Sequence, residues 1–189
     1  QYTIEQFMDN EAVGGGSFSA DKSNLLVSSN RSGIYNVYTI PTKGGEMTAI
    51  TQSDSSSIRA QSYFPNDNRM LFSADGNGDE INHLFVRELD GTIKDITPEK
   101  DAKASFYGWS EDDKHLYFGS NKRNPRYFDA YKMSIEDYSS EMIYQDDSGL
   151  SFSRMSNDEN YFALTKSLNT NDSDLSLYNV KTKEMIKVN

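Results

Sequence analysis

The 189-residue sequence contains no cysteine. This absence excludes disulfide bonds, cysteine nucleophiles and cysteine zinc ligands, because each of them needs a thiol. Proline occurs only four times and glycine twelve times, which is ordinary usage for a globular chain. We therefore expect the chain to fold without covalent cross-links.

Basic residues and long apolar runs are also scarce. Lys and Arg number 19 against 29 Asp and Glu, which gives a formal net charge of −10. This charge repels phosphate backbones and anionic lipid surfaces, so no nucleic-acid partner is expected. No apolar run approaches the roughly 18 residues of a membrane-spanning helix, so no membrane insertion is expected. The compartment stays open, with a periplasmic or secreted location slightly favoured over a cytoplasmic one.

Aromatic residues, in contrast, are plentiful at 12% of the chain, with twelve Tyr and ten Phe. Disordered chains are poor in such residues, so this content indicates a folded protein. Tyrosine also has a polar end, which suits a core whose edges remain in contact with water. At this length the chain can form one ordinary domain or a short array of repeated units.

A short pattern is repeated along the chain. The stretch "SADKSNLLVSSN" at 19–30 resembles "SEDDKHLYFGSN" at 110–121, and related stretches begin at positions 65 and 156. The aspartates of the four copies follow each other at steps of 46, 45 and 46 residues: Asp21, Asp67, Asp112 and Asp158. A later aromatic position has steps of 47, 46 and 47: Tyr38, Phe85, Tyr131 and Tyr178. The chain therefore contains four repeats of about 46 residues.

Each repeat has the pattern of four short strands separated by turns. A strand such as 104–109 leads into an Asp-containing turn, a short apolar strand follows, and two alternating strands complete the unit. A period of about 40 to 50 residues with four strands per repeat is typical of β-propeller blades. The predicted fold is therefore all-β, a partial or small propeller of four blades with four antiparallel strands each.

The repeat also sets boundaries within the single propeller region, 1–189. A lead-in segment, 1–13, is followed by four predicted blades: 14–58, 59–103, 104–149 and 150–189. Within the lead-in, "TIEQFMDN" (3–10) has helical character, and Thr3 and Gln6 have the spacing of a capping box. We therefore expect one short helix ahead of the blades.

The repeated aspartates are interpreted as turn residues rather than as a ring of ligand-binding carboxylates. An Asp in a turn accepts a hydrogen bond from the backbone N–H two residues on, which fixes the reversal of the chain. Four copies in register favour this role, because one binding site seldom needs a residue from every blade. The predicted structural turn residues are Asp21, Asp67, Asp112 and Asp158.

The chain lacks the sequence pattern of a serine hydrolase. Such enzymes usually carry their nucleophile in Gly-x-Ser-x-Gly, with His and Asp partners, and this pentapeptide is absent. The most similar stretch, "GGGSFS" at 14–19, has Ser19 where the closing glycine should be. His83 and His115 are the only possible bases, and both occupy repeat positions expected at the surface. We predict no catalytic residue on this chain.

One loop resembles the first half of a calcium-binding loop. Asp75, Asn77 and Asp79 alternate in "DGNGDE". A calcium loop requires Gly at its sixth position and Glu at its twelfth, where this chain has Glu80 and Val86. A solvated hairpin loop is favoured over a weak Ca²⁺ site, and no metal or other cofactor is predicted.

Two arginines follow the second strand of the first and third repeats, Arg31 and Arg123. They could form ion pairs with acidic residues on a neighbouring blade, where exposed pairs contribute only about 0 to 1 kcal/mol. They could instead face a cavity and contact the carboxylate of a peptide. They are the candidate substrate-binding residues.

The stretch "SFSADKSNLLVSSNRSGIYNVYTIPTKGGEMTAIT" (17–51) resembles the propeller repeat of the Tol-system periplasmic protein TolB. The same repeat forms the propeller of prolyl oligopeptidase-family serine peptidases. The shared elements are Phe-Ser-x-Asp, Ser-Asn-Arg-x-Gly, an aromatic in the third strand and Gly-Gly before the fourth. The lead-in "YTIEQFMDNEAVGGGSFS" is more similar to the start of the peptidase propellers. The second repeat departs at Pro65, and the fourth lacks the Asn-Arg-x-Gly loop.

In those peptidases a propeller of about seven blades caps an α/β-hydrolase domain and filters substrates by size. The resemblance implies that this chain is the front part of such a propeller, a non-catalytic segment that gates substrate access and lines the cavity. Its implied partners are a C-terminal α/β-hydrolase domain and a peptide substrate. The alternatives are a TolB-like periplasmic protein-binding module and a free-standing sugar- or peptide-binding propeller. Self-association through open blade edges is also expected.

Overall fold

The computed structural model of the protein describes residues 2–189, so residue 1 of the predicted lead-in lies outside the described residues. In this part of the chain, sixteen strands form four antiparallel sheets of four strands each. Within each sheet the strands are ordered as they follow one another in the chain. Such sheets are propeller blades, and the predicted all-β fold with four of them is confirmed.

The chain divides into two compact units, of which the first ends at Thr97. The first unit contains the helix α1 (Ile4–Met8) and two blades. Blade 1 consists of β1 (Val13–Phe18), β2 (Asn24–Ser29), β3 (Asn36–Pro41) and β4 (Thr48–Ala49). Blade 2 consists of β5 (Ile58–Tyr63), β6 (Met70–Ala74), β7 (His83–Arg87) and β8 (Ile93–Asp95).

The second unit begins at Pro98 and contains the other two blades. Blade 3 consists of β9 (Ala104–Trp109), β10 (His115–Ser120), β11 (Asp129–Ser134) and β12 (Ser140–Tyr144). Blade 4 consists of β13 (Ser151–Met155), β14 (Tyr161–Asn169), β15 (Asp172–Asn179) and β16 (Met185–Lys187).

Two blades begin one residue earlier than the repeat predicts. Strand β1 starts at Val13 rather than at position 14, and β5 starts at Ile58, which the repeat assigns to the end of blade 1. The landmarks that define the repeat are turn residues, which do not fix the first paired residue of the strand before each turn.

The hairpin between the second and third strands of blade 4 is longer than its counterparts. Strands β14 and β15 have nine and eight residues, and only Thr170 and Asn171 separate them. The two strands continue to pair beyond the point where the other blades turn. Residues 166–173, which form the end of this hairpin, are all exposed.

The periodic aromatic of the third strand packs against a residue directly opposite on the second strand. The aromatic pairs of blades 2, 3 and 4 are Phe72–Phe85, Phe118–Tyr131 and Phe162–Tyr178. Their ring centroids lie 5.8, 5.1 and 5.8 Å apart. Blade 1 has Val27 opposite Tyr38. Cross-strand pairs of this kind contribute roughly 0.2–1 kcal/mol each, which explains the constant spacing in the sequence.

The first strand of every blade contains a bulge in its pairing with the second strand. In blades 2, 3 and 4 one residue of the first strand has no opposite residue on the second strand. These residues are Gln61, Tyr107 and Ser153, respectively. In blade 1 the shift falls between Gly14 and Ser17. A bulge bends its strand and re-aims a side chain. In blade 3 it therefore takes the Tyr107 side chain out of the regular alternation of the strand.

In the first unit, blades 1 and 2 pack against each other through an apolar core. The buried members of this core are Leu26, Val37, Tyr63, Met70 and Phe72. Two serines of blade 1 add hydrogen bonds to the backbone of β5. The Oγ of Ser17 accepts from the N–H of Tyr63 at 3.0 Å. The Oγ of Ser28 accepts from the N–H of Ala60 at 2.8 Å. Side-chain packing and hydrogen bonds together fix this blade pair.

In the second unit, blades 3 and 4 are held together in the same way. Phe162 and Leu164 of β14 are fully buried and pack against Ala130 and Tyr144 of blade 3. Apolar burial of this kind contributes roughly 25 cal/mol per Å² of surface removed from water. The core of each unit therefore lies between its two blades rather than within one sheet.

The lead-in forms the predicted helix. The Oγ1 of Thr3 accepts a hydrogen bond from the N–H of Gln6 at 3.3 Å, and the N–H of Thr3 donates to Oε1 of Gln6 at 3.0 Å. The predicted capping box is thus confirmed. The apolar side chains of this helix, Ile4, Phe7 and Met8, are all more than half exposed. No helix within residues 2–189 has the length and apolar character needed to cross a bilayer.

Candidate functional site

Each blade turns between its first two strands at the repeated aspartate. The Oδ1 atoms of Asp21, Asp67, Asp112 and Asp158 accept hydrogen bonds from the backbone N–H two residues on, at 3.0, 2.9, 3.1 and 3.1 Å. This is the hydrogen bond of an Asx-type turn. Each carboxylate is therefore occupied by the turn of its own blade.

A serine two residues before the aspartate adds a second donor in three of these turns. The serine Oγ lies 2.7, 2.6 and 2.7 Å from the Oδ1 of the aspartate in the pairs Ser19–Asp21, Ser110–Asp112 and Ser156–Asp158. The serine hydroxyl is the main cause that lowers the pKa of each of these carboxyl groups to about 2. They therefore remain ionised near neutral pH and do not transfer protons there.

Blade 2 has Pro65 in the serine position. There the guanidinium of Arg69 binds the aspartate, with its Nε 3.1 Å from Oδ1 and 3.0 Å from Oδ2 of Asp67. The guanidinium also lies over the ring of Phe64, 4.1 Å from the centroid. The departure from the repeat is thus compensated inside the same turn.

Arg123, one of the two candidate substrate-binding residues, is held by carboxylates of blade 3. Its Nε and Nη2 donate to Oδ2 and Oδ1 of Asp129 at 2.7 and 2.9 Å, and the Asp129 side chain is fully buried. Its Nη2 also lies 3.1 Å from Oδ1 of Asp147 and donates to the backbone carbonyl of Asp146. The hydrogen bonds to Asp129 raise the pKa of the guanidinium further. The expectation that Arg123 pairs with a neighbouring blade is wrong. Its partners lie within blade 3, on β11 and on the segment that follows β12.

Arg31, the other candidate, has looser contacts. Its Nε lies 3.4 Å from Oε1 of Glu11, its Nη1 lies 3.9 Å from Oε2 of Glu46, and 47% of its side chain is exposed. These partners belong to the lead-in and to blade 1, so the expected neighbouring-blade partner is wrong here too. Exposed ion pairs at such distances contribute little, so this guanidinium is only loosely held.

The oxygen atoms of the calcium-like loop contact the loop and its surroundings. Asp79 accepts hydrogen bonds from two backbone N–H groups of the loop, at 3.1 and 2.8 Å. Asp75 accepts from the N–H of Glu80 at 3.2 Å, and Asn77 accepts from the hydroxyl of Ser56 at 3.2 Å. Within residues 2–189 no group of three or more His, Asp or Glu side chains is arranged to hold a metal ion.

Both histidines lie beside an aspartate. The Nδ1 of His83 is 2.7 Å from Oδ2 of Asp95, and only 15% of the His83 side chain is exposed. His83 is therefore mostly buried rather than at the surface as expected, because its imidazole packs beside Phe85, with ring centroids 6.3 Å apart, and contacts Asp95 of β8. The Nδ1 of His115 is 3.5 Å from Oδ1 of Asp112. Within residues 2–189 neither imidazole hydrogen-bonds a serine hydroxyl.

A polar cluster that sequence reasoning missed joins the third strand to the end of the fourth. The Oδ1 of the fully buried Asn36 accepts from Thr51 Oγ1 at 2.9 Å and from the N–H of Ser53 at 2.8 Å. Thr51 accepts in turn from the backbone of β3 at 2.9 Å. Thr97 makes the equivalent bond to the backbone of β7 in blade 2. The sequence feature that indicates this cluster is the threonine that follows the fourth strand in the first and second repeats, Thr51 and Thr97.

Sequence comparison relates this chain to a family of peptidase propellers. The family model of the dipeptidyl peptidase IV (DPP IV) N-terminal region matches residues 56–172. The chain is 31% identical over 108 residues to dipeptidyl aminopeptidase BIII of Pseudoxanthomonas mexicana. This match covers 54% of the present chain and 15% of that protein. The chain therefore spans only a small part of the relative's length.

Solved structures show the same fold at low sequence identity. TolB from Acinetobacter baumannii matches with a TM-score of 0.66 and 16% identity, over 94% of this chain and 43% of TolB. Prolyl oligopeptidase B from Galerina marginata, bound to a 25mer macrocyclization substrate, matches with a TM-score of 0.66 and 12% identity. That match covers 92% of this chain and 27% of the other. At these identities the likeness shows the fold alone.

The family match extends from the end of blade 1 into blade 4, which is more than half of the chain. It agrees with the resemblance that residues 17–51 predicted and with the four propeller blades of the structure. The chain belongs to the family of the dipeptidyl peptidase IV N-terminal region, the propeller of prolyl oligopeptidase-family peptidases.

Proposed function

We propose that this chain is the non-catalytic propeller segment of a prolyl oligopeptidase-like serine peptidase, where it gates substrate access and lines the cavity. The observation that carries the proposal is the family match over residues 56–172, which spans blades 2 and 3 and part of blade 4. The similar sequence of a dipeptidyl aminopeptidase supports it. In this proposal an α/β-hydrolase domain of the longer protein supplies the catalytic triad and acts on a peptide.

The contacts of the two histidines support the non-catalytic role. A serine hydrolase needs an imidazole within hydrogen-bonding reach of its nucleophile. The imidazole of His83 instead contacts Asp95 at 2.7 Å, and that of His115 lies beside Asp112. Each histidine belongs to the local structure of its blade.

Of the two candidate arginines, Arg31 suits a contact with substrate better. Its side chain is 47% exposed and its ion pairs are long, at 3.4 and 3.9 Å. The guanidinium of Arg123 is committed to the buried Asp129. The proposal therefore assigns the peptide carboxylate to Arg31 and a structural role to Arg123.

Fluorophosphonate labelling of the protein from its native source tests the proposal. These probes react with the nucleophile of serine hydrolases, and mass spectrometry then gives the mass of the labelled species. We expect a labelled chain far heavier than 21.4 kDa that contains these residues. An unlabelled protein would overturn the peptidase assignment and favour a TolB-like protein-binding module.

The role of Arg31 is tested separately by peptide cleavage in the full-length peptidase. We expect Arg31→Ala to raise KM for peptides with a free C-terminal carboxylate and to leave kcat unchanged. C-terminally amidated peptides should show no such change. Arg126→Ala is the matched control, because Arg126 is an exposed arginine in the loop between β10 and β11. Equal KM values for wild type and Arg31→Ala would contradict the assignment.

The proposal also includes self-association of the 189-residue chain through β16. This strand is at the edge of its sheet; its Met185 and Ile186 are 44% and 47% exposed, and Val188, directly after it, is 53% exposed. An exposed apolar edge strand is a template for pairing with another chain. Light scattering should show a species heavier than 21.4 kDa, which Ile186→Lys dissociates. A wild-type monomer at every concentration would contradict this part.

A further inference from the structure

The loop between β6 and β7 contains the only Asn-Gly dipeptide of the sequence, Asn77-Gly78. Residues 76–80 are all exposed, so water reaches the whole of this turn. Asparagine is one of the chemically least durable residues of proteins, because a neighbouring backbone nitrogen can attack its amide. What happens at this loop therefore depends on the groups that surround the Asn77 amide.

The nucleophile for such an attack is the backbone nitrogen of Gly78. Its N–H makes no hydrogen bond within residues 2–189, so no partner has to be released before it reacts. Glycine carries no Cβ that would shield this nitrogen, and its backbone rotates more freely than that of any other residue. Because the two reacting groups belong to adjacent residues, the attack is intramolecular and avoids the entropy cost of bringing two molecules together.

The amide group of Asn77 is held at its oxygen and free at its nitrogen. The hydroxyl of Ser56 donates a hydrogen bond to Oδ1 of Asn77 at 3.2 Å and accepts one from the N–H of Asn77 at 2.7 Å. The Nδ2 of Asn77 makes no hydrogen bond to the described part of the chain. When a nucleophile adds to Cγ, negative charge develops on Oδ1, where a hydrogen-bond donor stabilises it. Ser56 provides this donor, and Nδ2 is free to leave.

We propose that Asn77 is a site of self-modification, at which the chain converts its own asparagine into aspartate and isoaspartate without an enzyme. The nitrogen of Gly78 attacks Cγ of Asn77 and gives up its proton to solvent base, while Nδ2 takes up a proton and leaves as ammonia. The resulting five-membered succinimide ring takes up one water molecule at either carbonyl carbon and opens to aspartate or isoaspartate. Nothing is oxidised or reduced, and water is the only co-reactant.

The product changes the loop in two ways. The new carboxylate lies between Asp75 and Asp79 in the sequence and makes the net charge of −10 one unit more negative. Isoaspartate also adds a methylene group to the main chain, which displaces the N–H of residue 77 from the Ser56 hydroxyl. Ser56 belongs to the segment between β4 and β5, so the link between that segment and the loop of blade 2 is weakened. The proposal does not depend on the peptidase assignment, because every reacting group belongs to this chain.

Peptide mass spectrometry of the folded protein tests the proposal. During weeks at neutral pH we expect Asn77 to gain the mass of an amide-to-acid conversion, and to gain it faster at mildly alkaline pH, where hydroxide is more abundant. Trypsin releases the site in the peptide 70–87, and fragmentation distinguishes Asn77 from Asn82. An isoaspartate-specific methyltransferase should label the same peptide. An intact Asn77 in the folded protein, whether or not the free peptide 70–87 is converted, would overturn the proposal.

Asn171 is the internal control for the role of Gly78. It is also exposed, in the two-residue turn of blade 4, but Asp172 follows it in place of a glycine. We expect its amide to stay intact in the same samples. Conversion of Asn171 as fast as that of Asn77 would show that exposure alone is responsible and would overturn the assignment to the Asn77-Gly78 pair.

Two variants test the parts given to Ser56 and to the ring. Ser56→Ala should slow the conversion about two- to tenfold, the range that one hydrogen bond contributes. Its matched control is Ser57→Ala, an exposed neighbour, which should convert like wild type. Asn77→Gln should show no conversion, because its longer side chain cannot close the same ring. Wild-type rates in Ser56→Ala would overturn the role of its hydroxyl, and wild-type rates in Asn77→Gln would overturn the ring mechanism.

Discussion

The ring of Tyr107 lies over Gly119, in the space that a side chain at position 119 would occupy. The bulge in β9 directs this ring across the neighbouring strand β10. Because the ring also stacks on Phe152, it cannot move away freely. The absence of a side chain at Gly119 therefore determines where the Tyr107 ring lies between blades 3 and 4.

We expect Gly119→Ala to destabilise the protein by about 1–3 kcal/mol, since the added methyl group meets the ring and hydroxyl of Tyr107. Urea unfolding measures this loss. Gly14→Ala is the matched control, because an added Cβ there meets nothing within 4 Å. Equal losses in both variants would show that the Tyr107 contact is unimportant.

Truncation of the core between blades 3 and 4 should be costly. Phe162 is fully buried, so Phe162→Ala should lower the free energy of unfolding by about 3–5 kcal/mol. Phe18 is 59% exposed, and Phe18→Ala should change it by no more than about 0.5 kcal/mol. Chemical denaturation followed by circular dichroism gives both values. Similar losses at the two positions would contradict the assignment of the core.

The buried carboxylate of Asp129 makes Arg123 a stability residue. Arg123→Ala leaves this carboxylate without its counterion, and we expect the melting temperature to fall by about 5 °C or more. Arg126 lies in the same loop and forms no ion pair within residues 2–189, so Arg126→Ala should change the melting temperature by about 1 °C or less. Differential scanning calorimetry distinguishes the two outcomes. A melting temperature for Arg123→Ala equal to that of the control would refute this role.

The turn aspartates should make stability depend on pH in the acid range. The folded-state pKa of Asp112 is about 2, below its ordinary value of 3.8, mainly because of the Ser110 hydroxyl. Its stabilising contribution is therefore fully present above pH 3.8 and is lost as the pH falls through about 2. The same holds for Asp21 and Asp158. Unfolding measured between pH 5 and about 2 should show this decline.

Removal of one serine tests the cause of that decline. We expect Ser110→Ala to raise the pKa of Asp112 toward its ordinary value, as measured by carboxyl NMR titration. The stability difference from wild type should be clear at pH 7 and should shrink below about pH 2, where Asp112 is protonated. Ser105→Ala, an exposed serine on the same strand, should show no pH-dependent difference. An unchanged titration of Asp112 in Ser110→Ala would disprove the proposed cause.

Much of the fold could be predicted because its information is local. The spacing of Asp21, Asp67, Asp112 and Asp158 predicted four blades, and the turn that each forms depends only on residues within two positions of it. The helix capping box of Thr3 and Gln6 was predicted for the same reason. The strand ends and the long hairpin of blade 4 were harder to predict from the sequence, because they depend on how far the pairing of two strands continues.

The candidate sites were harder to predict because they depend on residues distant in sequence. Arg123 was recognised as a candidate, but the sequence did not show that Asp129 is buried and close enough to bind it twice. The same limit applies to His83, because the sequence did not show that Asp95, twelve residues further on, contacts its imidazole.

The sequence by itself was therefore enough for the blade number, which follows from the spacing of the repeats, and for the four strands and the turn chemistry of each blade, which neighbouring residues along the chain create. The tertiary structure alone decided which side chains of adjacent blades meet. Tyr107 stacks on Phe152 and Lys132 reaches Glu159 only because the sheets pack at one register and β9 carries a bulge. Register between sheets depends on the packing of whole side-chain surfaces, so no local pattern specifies it.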